Sequence, residues 1–418
     1  MKVHRLTVTI EHIRAAARQI QGAVLRTPFL EAPRLSALSG ADVFVKYENM
    51  QVTNAFKERG ALTKLLSLTP AEKAQGVIAM SAGNHAQAVA RHATRLDILA
   101  VIVMPENTPL LKITATQEFG AKVVLAGADV DEAKREADRL SKTHGYTWVH
   151  PFDDPLVIAG QGTLALEMLE DQPDLDTIIT PVGGGGLISG VAVAAKALNP
   201  SIDIIGVETE LYPSMYNILH SHSLPCGGNT VAEGIAVQKV GEHTRKIVEK
   251  LVSQIVLVNE SQIEQAINTY LILQKTIAEG AGASGLAALL AHKEQFEGKK
   301  VGLVVCGGNI DQRLLTGIVL RELVRDGNII SIRCTIPDRP GILGEISTLI
   351  GQLGGNILDV SHHRLFLEVP AKGATLDVTI ETRGTKHAHS IIQTLEEKGI
   401  KVQPRGNGQY QTGAYTSI

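Results

Sequence analysis

The chain has 418 residues, 44% of them hydrophobic and 20% charged, and its 40 Lys and Arg nearly balance 43 Asp and Glu for a net charge of −3. That length accommodates two or three domains with sizeable cores, and the near-neutral balance gives no support for nucleic-acid binding or a membrane-surface role. Three widely spaced cysteines, Cys226, Cys306 and Cys334, form no CxxC pair, so neither a disulfide framework nor a zinc site is indicated. The first residues lack the apolar stretch of a signal peptide, and apolar runs such as 98–105 are too short to cross a bilayer, so a cytoplasmic protein is expected.

From about 76 to 325, short apolar runs alternate with amphipathic stretches. Residues 76–80 read as a buried strand, 84–96 as a helix, 98–105 as a strand, 109–119 as a helix, 122–126 as a strand and 130–144 as a helix. Further strands are expected at 177–181, 203–209, 255–259 and 301–306, with a helix at 187–198. Continuous Val/Ile-rich strands between helices predict an α/β fold whose mostly parallel sheet is covered on both faces. Near Gly327-Asn328 the pattern changes. A strand at 329–336, a helix at 342–353, strands at 357–367 and 374–381, a helix at 387–398 and a strand at 400–402 make a compact βαββαβ module. Residues 404–418 are polar and Gly-rich, and read as a loose tail.

The chemistry starts at Lys57, in Thr53-Asn54-Ala55-Phe56-Lys57-Glu58-Arg59-Gly60. Alone, a lysine beside Glu58 and Arg59 reads as a solvated surface charge. Three other segments change this. Ser81-Ala82-Gly83-Asn84-His85 lies between a strand and a helix, where small residues let amides face an anion such as a substrate carboxylate. The plainer alternative there is a turn with Ser81 or Asn84 capping the helix. Gly183, Gly184, Gly185 and Gly186 precede Leu187 and a helix, so amides can approach a phosphate with no Cβ in the way. The spacing does not fit a dinucleotide loop, because Ile188 and Ser189 stand where the third glycine belongs. Cys306 ends a strand before Gly307-Gly308-Asn309 and offers a weak, neutral partner to a ring nitrogen; a buried structural cysteine is its plainer alternative. An amine, an anion turn with an amide, a phosphate-sized loop and a neutral tip together suit pyridoxal 5'-phosphate. Phe56 offers an apolar wall beside the amine. Such an amine reacts only when unprotonated, so burial or nearby positive charge must lower its pKa.

With these motifs, residues from about 9 to 325 resemble the threonine ammonia-lyases of the tryptophan-synthase-β-like (fold type II) pyridoxal-phosphate enzymes. The resemblance implies two open twisted α/β subdomains. It implies that Lys57 holds the cofactor covalently and later takes the Cα proton, and that Gly183 to Gly186 with Leu187 hold the phosphate. It also implies that Asn84 contacts the ring oxygen, with Glu279 near the ring. The family commonly reads Ser-Phe-Lys before the anchor; here it is Ala55-Phe56-Lys57. Relatives that racemise serine carry a second serine where this chain has Ala82, a departure that favours elimination. Glu208 matches one acidic ligand of a metal site in those racemases, but Tyr212 and Ser214 fall where the other ligands stand. Residues 329–403 resemble an ACT domain, whose turn is Asp338-Arg339-Pro340-Gly341 and whose second segment is Gly354-Gly355-Asn356-Ile357. Such modules usually bind an amino acid where two pack side by side, so isoleucine or valine is an expected effector and a homodimer or homotetramer the expected assembly; a purely structural dimerisation module is the alternative.

The expected organisation is a catalytic region at 1–325 and an ACT region at 329–403. The expected function is deamination of L-threonine to 2-oxobutanoate and ammonia, with activity on L-serine. A serine or 3-hydroxyaspartate ammonia-lyase, a serine racemase, and an amino-acid sensor on an inactive fold remain alternatives.

Overall fold

A computed structural model describes residues 6–364 and 373–405. It divides into two compact units, 1–311 and 312–418. The tail expected at 404–418 lies outside the described residues from 406 onward, as do residues 365–367 of the strand expected at 357–367.

Among the described residues, the first unit holds ten strands: β1 (Phe29–Glu31), β2 (Asp42–Tyr47), β3 (Val77–Met80), β4 (Ala100–Met104), β5 (Lys122–Leu125), β6 (Thr147–Trp148), β7 (Thr177–Pro181), β8 (Asp203–Thr209), β9 (Gln254–Val258) and β10 (Lys300–Val305). They form two sheets. One has the order β5-β4-β3-β6 with every pair parallel. The other has the order β1-β2-β10-β7-β8-β9, parallel except for β1 on β2. The single sheet anticipated from the alternating pattern is therefore two, as the family resemblance implies. β4 and β7 are buried along their whole length, as expected for parallel strands covered on both faces.

Chain order does not follow sheet order. β10 inserts between β2 and β7, with Val301 opposite both Val43 and Thr177. Cys306 therefore emerges beside the segment that follows β2 and leads to Lys57. Residue 55 bridges Gly307, and the Phe56 amide donates to the Cys306 carbonyl at 3.0 Å. The serine, glycine and cysteine motifs follow the carboxyl ends of β3, β7 and β10, where open α/β sheets bind ligands.

Helix Lys57–Leu66 crosses helix Pro155–Asp171 at glycine. A Cβ on Gly160 would lie 2.6 Å from the Gly60 Cα, so neither position admits a side chain without parting the helices.

The second unit contains helix Gln312–Arg325 and a sheet of β11 (Ile329–Pro337), β12 (Asn356–His363), β13 (Gly373–Glu381) and β14 (Lys401–Pro404), in the order β12-β13-β11-β14 with all pairs antiparallel. Ile330, Ile332, Cys334 and Ile336 alternate inward from β11 onto helices Ile342–Gln352 and Thr385–Glu397. Ile342, Ile346 and Ile350 meet them, with Leu349 packed at the edge of that core. Among the described residues, no helix is long and apolar enough to cross a membrane.

Candidate active site

Lys57 opens its helix, and its neighbours are not surface charges. Arg59 is fully buried, its guanidinium donating to both oxygens of Glu48 at 2.8 Å and to both oxygens of Glu167 at 2.6 and 2.8 Å. Burial alone would raise the Glu48 carboxyl; the charge and hydrogen bonds of Arg59, with help from Lys46 and Thr27, together more than offset this and hold it below the usual carboxylate value. Glu58 is also fully buried. The helix is thus anchored by charged groups directly after the amine.

The Lys57 Nζ donates to the Pro151 carbonyl at 2.7 Å and lies 5.1 Å from the centre of the Phe56 ring. Burial lowers its pKa to about 8, against opposing pulls from Cys306 and Glu279. Neutral amine is therefore accessible near neutral pH. The buried Cys306 thiol is pushed well up by burial and by Glu279, so it stays protonated.

Ser81 to Asn84 are half-buried at the end of β3. The N-cap of helix Asn84–Arg95 is Gly83, not Ser81 or Asn84. The Ser81 hydroxyl instead accepts from the Gly83 amide at 3.2 Å. The Asn84 Nδ2 donates to Glu279 Oε1 at 2.7 Å, while its Oδ1 accepts from Asn309 Nδ2 at 2.7 Å. Burial raises the Glu279 carboxyl to about 7. His85 is buried, its Nε2 2.9 Å from the Val149 carbonyl, and burial lowers its pKa to about 3. It is a neutral core histidine.

The glycine loop is shaped by Phe152. A Cβ on Gly184 would lie 2.3 Å from its ring, and one on Gly186 would lie 2.9 Å from its Cα. Gly185 takes a left-handed conformation (φ +92°) that favours glycine, and caps helix Gly186–Leu198. The Gly184 carbonyl accepts from the Thr244 hydroxyl at 2.7 Å, which turns the loop's carbonyl away on one side. Leu187 is buried just inside the helix. Among the described residues, no side chain caps helix Gly186–Leu198 or helix Asn84–Arg95, leaving both helix starts suited to anions.

Several contributors carried no sequence signal. Residues 149–153 join the parts: Pro151 receives Lys57, Phe152 packs the glycine loop, and Asp153 accepts from the Glu242, His243 and Thr244 amides. The His150 Nδ1 accepts from the Phe152 and Asp153 amides, and burial lowers this ring to about 4. In the sequence, Asn309 is only the end of a glycine turn; in the structure it links Thr53 to Asn84. Two motifs 225 residues apart meet here, and no spacing in one sequence reveals that.

Glu208 sits elsewhere. Its oxygens accept from the Met215 amide at 2.8 Å and the Tyr216 amide at 2.9 Å, capping helix Ser214–His220. The Tyr212 hydroxyl donates to the Gly228 carbonyl and the Ser214 hydroxyl to Val237. Among the described residues, no group of three or more His, Cys, Asp or Glu is placed to hold a metal ion.

In the second unit, the two expected effector segments lie apart. Asp338 to Gly341 precede helix Ile342–Gln352, and Gly355 to Ile357 follow it. Eleven residues of helix separate them by roughly 16 Å. Arg339 pairs with both oxygens of Glu345 at 2.6 Å, Asp338 with Arg364 at 3.2 Å, and Asn356 donates to Glu381 at 2.9 Å. Pro340 and Gly341 complete the turn, Gly341 with φ +87°.

The donor set fits pyridoxal phosphate. It has a half-buried amine of lowered pKa, an uncapped glycine-rich helix start, an oriented amide and a thiol held neutral. The model of the pyridoxal-phosphate dependent enzyme family matches residues 20–307, and that of the ACT domain matches 330–399. The L-threonine ammonia-lyase of Thermotoga maritima is 45% identical over 398 residues, 95% of this chain and 99% of that protein. The processed form of threonine deaminase isoform 2 from Solanum lycopersicum superposes with a TM-score of 0.70 at 36% identity, over 74% of this chain and 86% of that one. Maize serine racemase superposes with a TM-score of 0.71 at 34% identity, over 76% and 98%. The chain belongs to the threonine ammonia-lyase family of pyridoxal-phosphate-dependent enzymes and carries an ACT domain.

Proposed function

We propose that the chain deaminates L-threonine to 2-oxobutanoate and ammonia by α,β-elimination of water in the cytoplasm, with L-serine as a second substrate. The observation that carries this reading is the Lys57 amine, lowered to about 8 and joined through Pro151 and Phe152 to the glycine loop. The near full-length similarity to an L-threonine ammonia-lyase supports threonine as substrate.

Bound pyridoxal phosphate supplies the electron sink that makes the Cα proton of an amino acid removable. The chain supplies the rest. Gly183 to Gly186 and Leu187 would hold the phosphate at an uncapped helix start. The Lys57 amine would hold the aldehyde and, once freed, accept the Cα proton at Nζ. Ser81, Ala82, Gly83 and the first amides of helix Asn84–Arg95 would receive the substrate carboxylate, with His85 supporting that turn through Val149. Asn84, oriented by Glu279 and Asn309, would donate to the ring oxygen. Phe56 walls the amine, and the Cys306 thiol would face the ring nitrogen as a neutral partner, a setting that suits elimination. The released enamine tautomerises and hydrolyses to the 2-oxo acid and ammonia.

Comparing kcat/KM for L-threonine, L-serine and L-3-hydroxyaspartate tests the substrate. Threonine is expected to lead; a clear lead for 3-hydroxyaspartate would reassign the enzyme. Racemisation is the second reading, supported by the likeness to maize serine racemase. It needs a proton donor on the other face of the substrate, and Ala82 has none. Ala82→Ser is expected to raise D-serine formation from L-serine relative to pyruvate. Rapid D-serine formation by the unmodified protein would refute this.

The ACT region is proposed to bind isoleucine or valine between two copies of the chain in a homodimer or homotetramer. The roughly 16 Å between the two segments means that one small ligand touches both only when they come from different copies. Coupling of ~1–3 kcal/mol would shift the apparent threonine affinity several-fold to ~100-fold. Threonine saturation curves with and without isoleucine or valine read this directly; superimposable curves would leave a structural module.

A further inference from the structure

Glu58 has no part in the chemistry above, yet its buried carboxylate is among the most connected groups near the site. Its Oε1 accepts from the Thr53 amide at 2.6 Å. Its Oε2 lies 3.0 Å from the His92 Nε2 and accepts from the Arg91 Nε at 3.3 Å. The Glu58 and His92 side chains are both fully buried. A carboxylate only accepts, so the His92 Nε2 carries the proton.

These bonds close a ring. Glu58 follows Lys57 on one helix, while Arg91 and His92 lie on the helix that Asn84 begins. On the other side, the Thr53 carbonyl accepts from Asn309 at 2.8 Å, and the same Asn309 nitrogen donates to Asn84 at 2.7 Å. Thr53 and Glu58, which flank Lys57, are thus tied to helix Asn84–Arg95 at its first residue and near its end.

The packing between these helices explains why such a tie matters. Ala61 and Leu65 share a core with Ala86, Ala88, Val89, Ala90 and Ala93. Most of the side chains that helix Asn84–Arg95 brings to this core are single methyl groups, and hydrogen bonds add directional constraint to their packing. Burying a carboxylate among its partners adds little net stability, and its best-attested use is to fix register.

We propose that Glu58 is a positioning residue that fixes helix Asn84–Arg95 against the helix begun by Lys57, and so sets the Asn84 amide and the anion turn relative to the Lys57 amine. This rests on the assignment of Lys57 and Asn84 to the cofactor site. Displacements on the order of 1 Å at a reacting centre cost up to ~100-fold in rate.

The test compares Glu58→Leu and Glu58→Gln in the holoprotein. Read out are kcat and KM for threonine, the cofactor dissociation constant from visible absorbance, and the melting temperature. Glu58→Leu is expected to lower kcat by ~10–100-fold and weaken cofactor binding, with a smaller change in KM. Glu58→Gln keeps an acceptor for Thr53 and a polar partner for His92, and is expected to recover most of both. If Glu58→Leu does not fold, His92→Leu and its rescue by His92→Gln carry the same comparison from the other helix. Unchanged kcat and cofactor affinity in the leucine variants, whatever the melting temperature, would overturn the positioning role alone. An unmodified protein that shows no lysine-linked absorbance would overturn the site assignment together with this proposal.

Discussion

Lys57→Ala is expected to remove the visible absorbance of the lysine-linked cofactor and to lower kcat/KM for threonine by ~10⁴-fold or more, because one side chain is proposed as both anchor and base. The glycine loop proposed to hold the phosphate is untouched by the change, so the variant should still retain cofactor, more weakly and without the covalent link. The unmodified amine makes a second, pH-dependent expectation. With its pKa lowered to about 8, the free amine is mostly protonated below that value and mostly neutral above it. The rate of cofactor uptake by cofactor-free protein should rise through this range and level off above it. A rise centred near the ordinary lysine value of ~10.4 would show that burial does not act on the amine in this way. Undiminished turnover by Lys57→Ala would exclude the assignment.

Arg59→Met is expected to destabilise the first unit by about 3–5 kcal/mol, since it leaves the buried carboxylates of Glu48 and Glu167 without their principal cation. Lys46 reaches only Glu167 through a hydrogen bond, and burial lowers its own pKa, so it does not replace the guanidinium. Chemical denaturation of the two proteins checks this; a loss below about 1 kcal/mol would mean that the cluster is tolerant of an unpaired charge. The cluster also has a pH signature. The folded Glu48 carboxyl lies below its ordinary value, so its contribution to stability is present above that value and is lost as pH falls through the folded one. Acid should therefore destabilise the unmodified protein more than a variant from which Arg59, Glu48 and Glu167 are all removed.

These charges also show what the sequence conceals. Glu58 and Arg59 look like solvent-facing neighbours of a lysine, and both are fully buried. Their partners Glu48, Arg91, His92 and Glu167 lie from 11 to 108 residues away, distances that no local pattern encodes. Strands such as Thr177–Pro181 and Asp203–Thr209 were legible because buried parallel strands are continuous apolar runs. The strands before Lys57 were not, because Asp42 and Lys46 interrupt the apolar run of Asp42–Tyr47, and Lys46 is buried only by pairing. Glycine runs and strand-end turns point, in the sequence, to the segments proposed to bind anions. The segment His150 to Asp153 gave no such sign, because its role arises from a carbonyl, a ring and a carboxylate meeting three separate elements. The turn at 81–85 reads as a candidate anion site, and its helix cap is Gly83, since the Ser81 hydroxyl turns to its own loop.

Conversion of threonine to a 2-oxo acid at the Lys57 site is read most directly from its two products. Purified holoprotein should be incubated with L-threonine, and 2-oxobutanoate and ammonia quantified together. Equimolar release of both, abolished in Lys57→Ala, is the expected result. A holoprotein that shows the lysine-linked absorbance but releases neither product from threonine would contradict it.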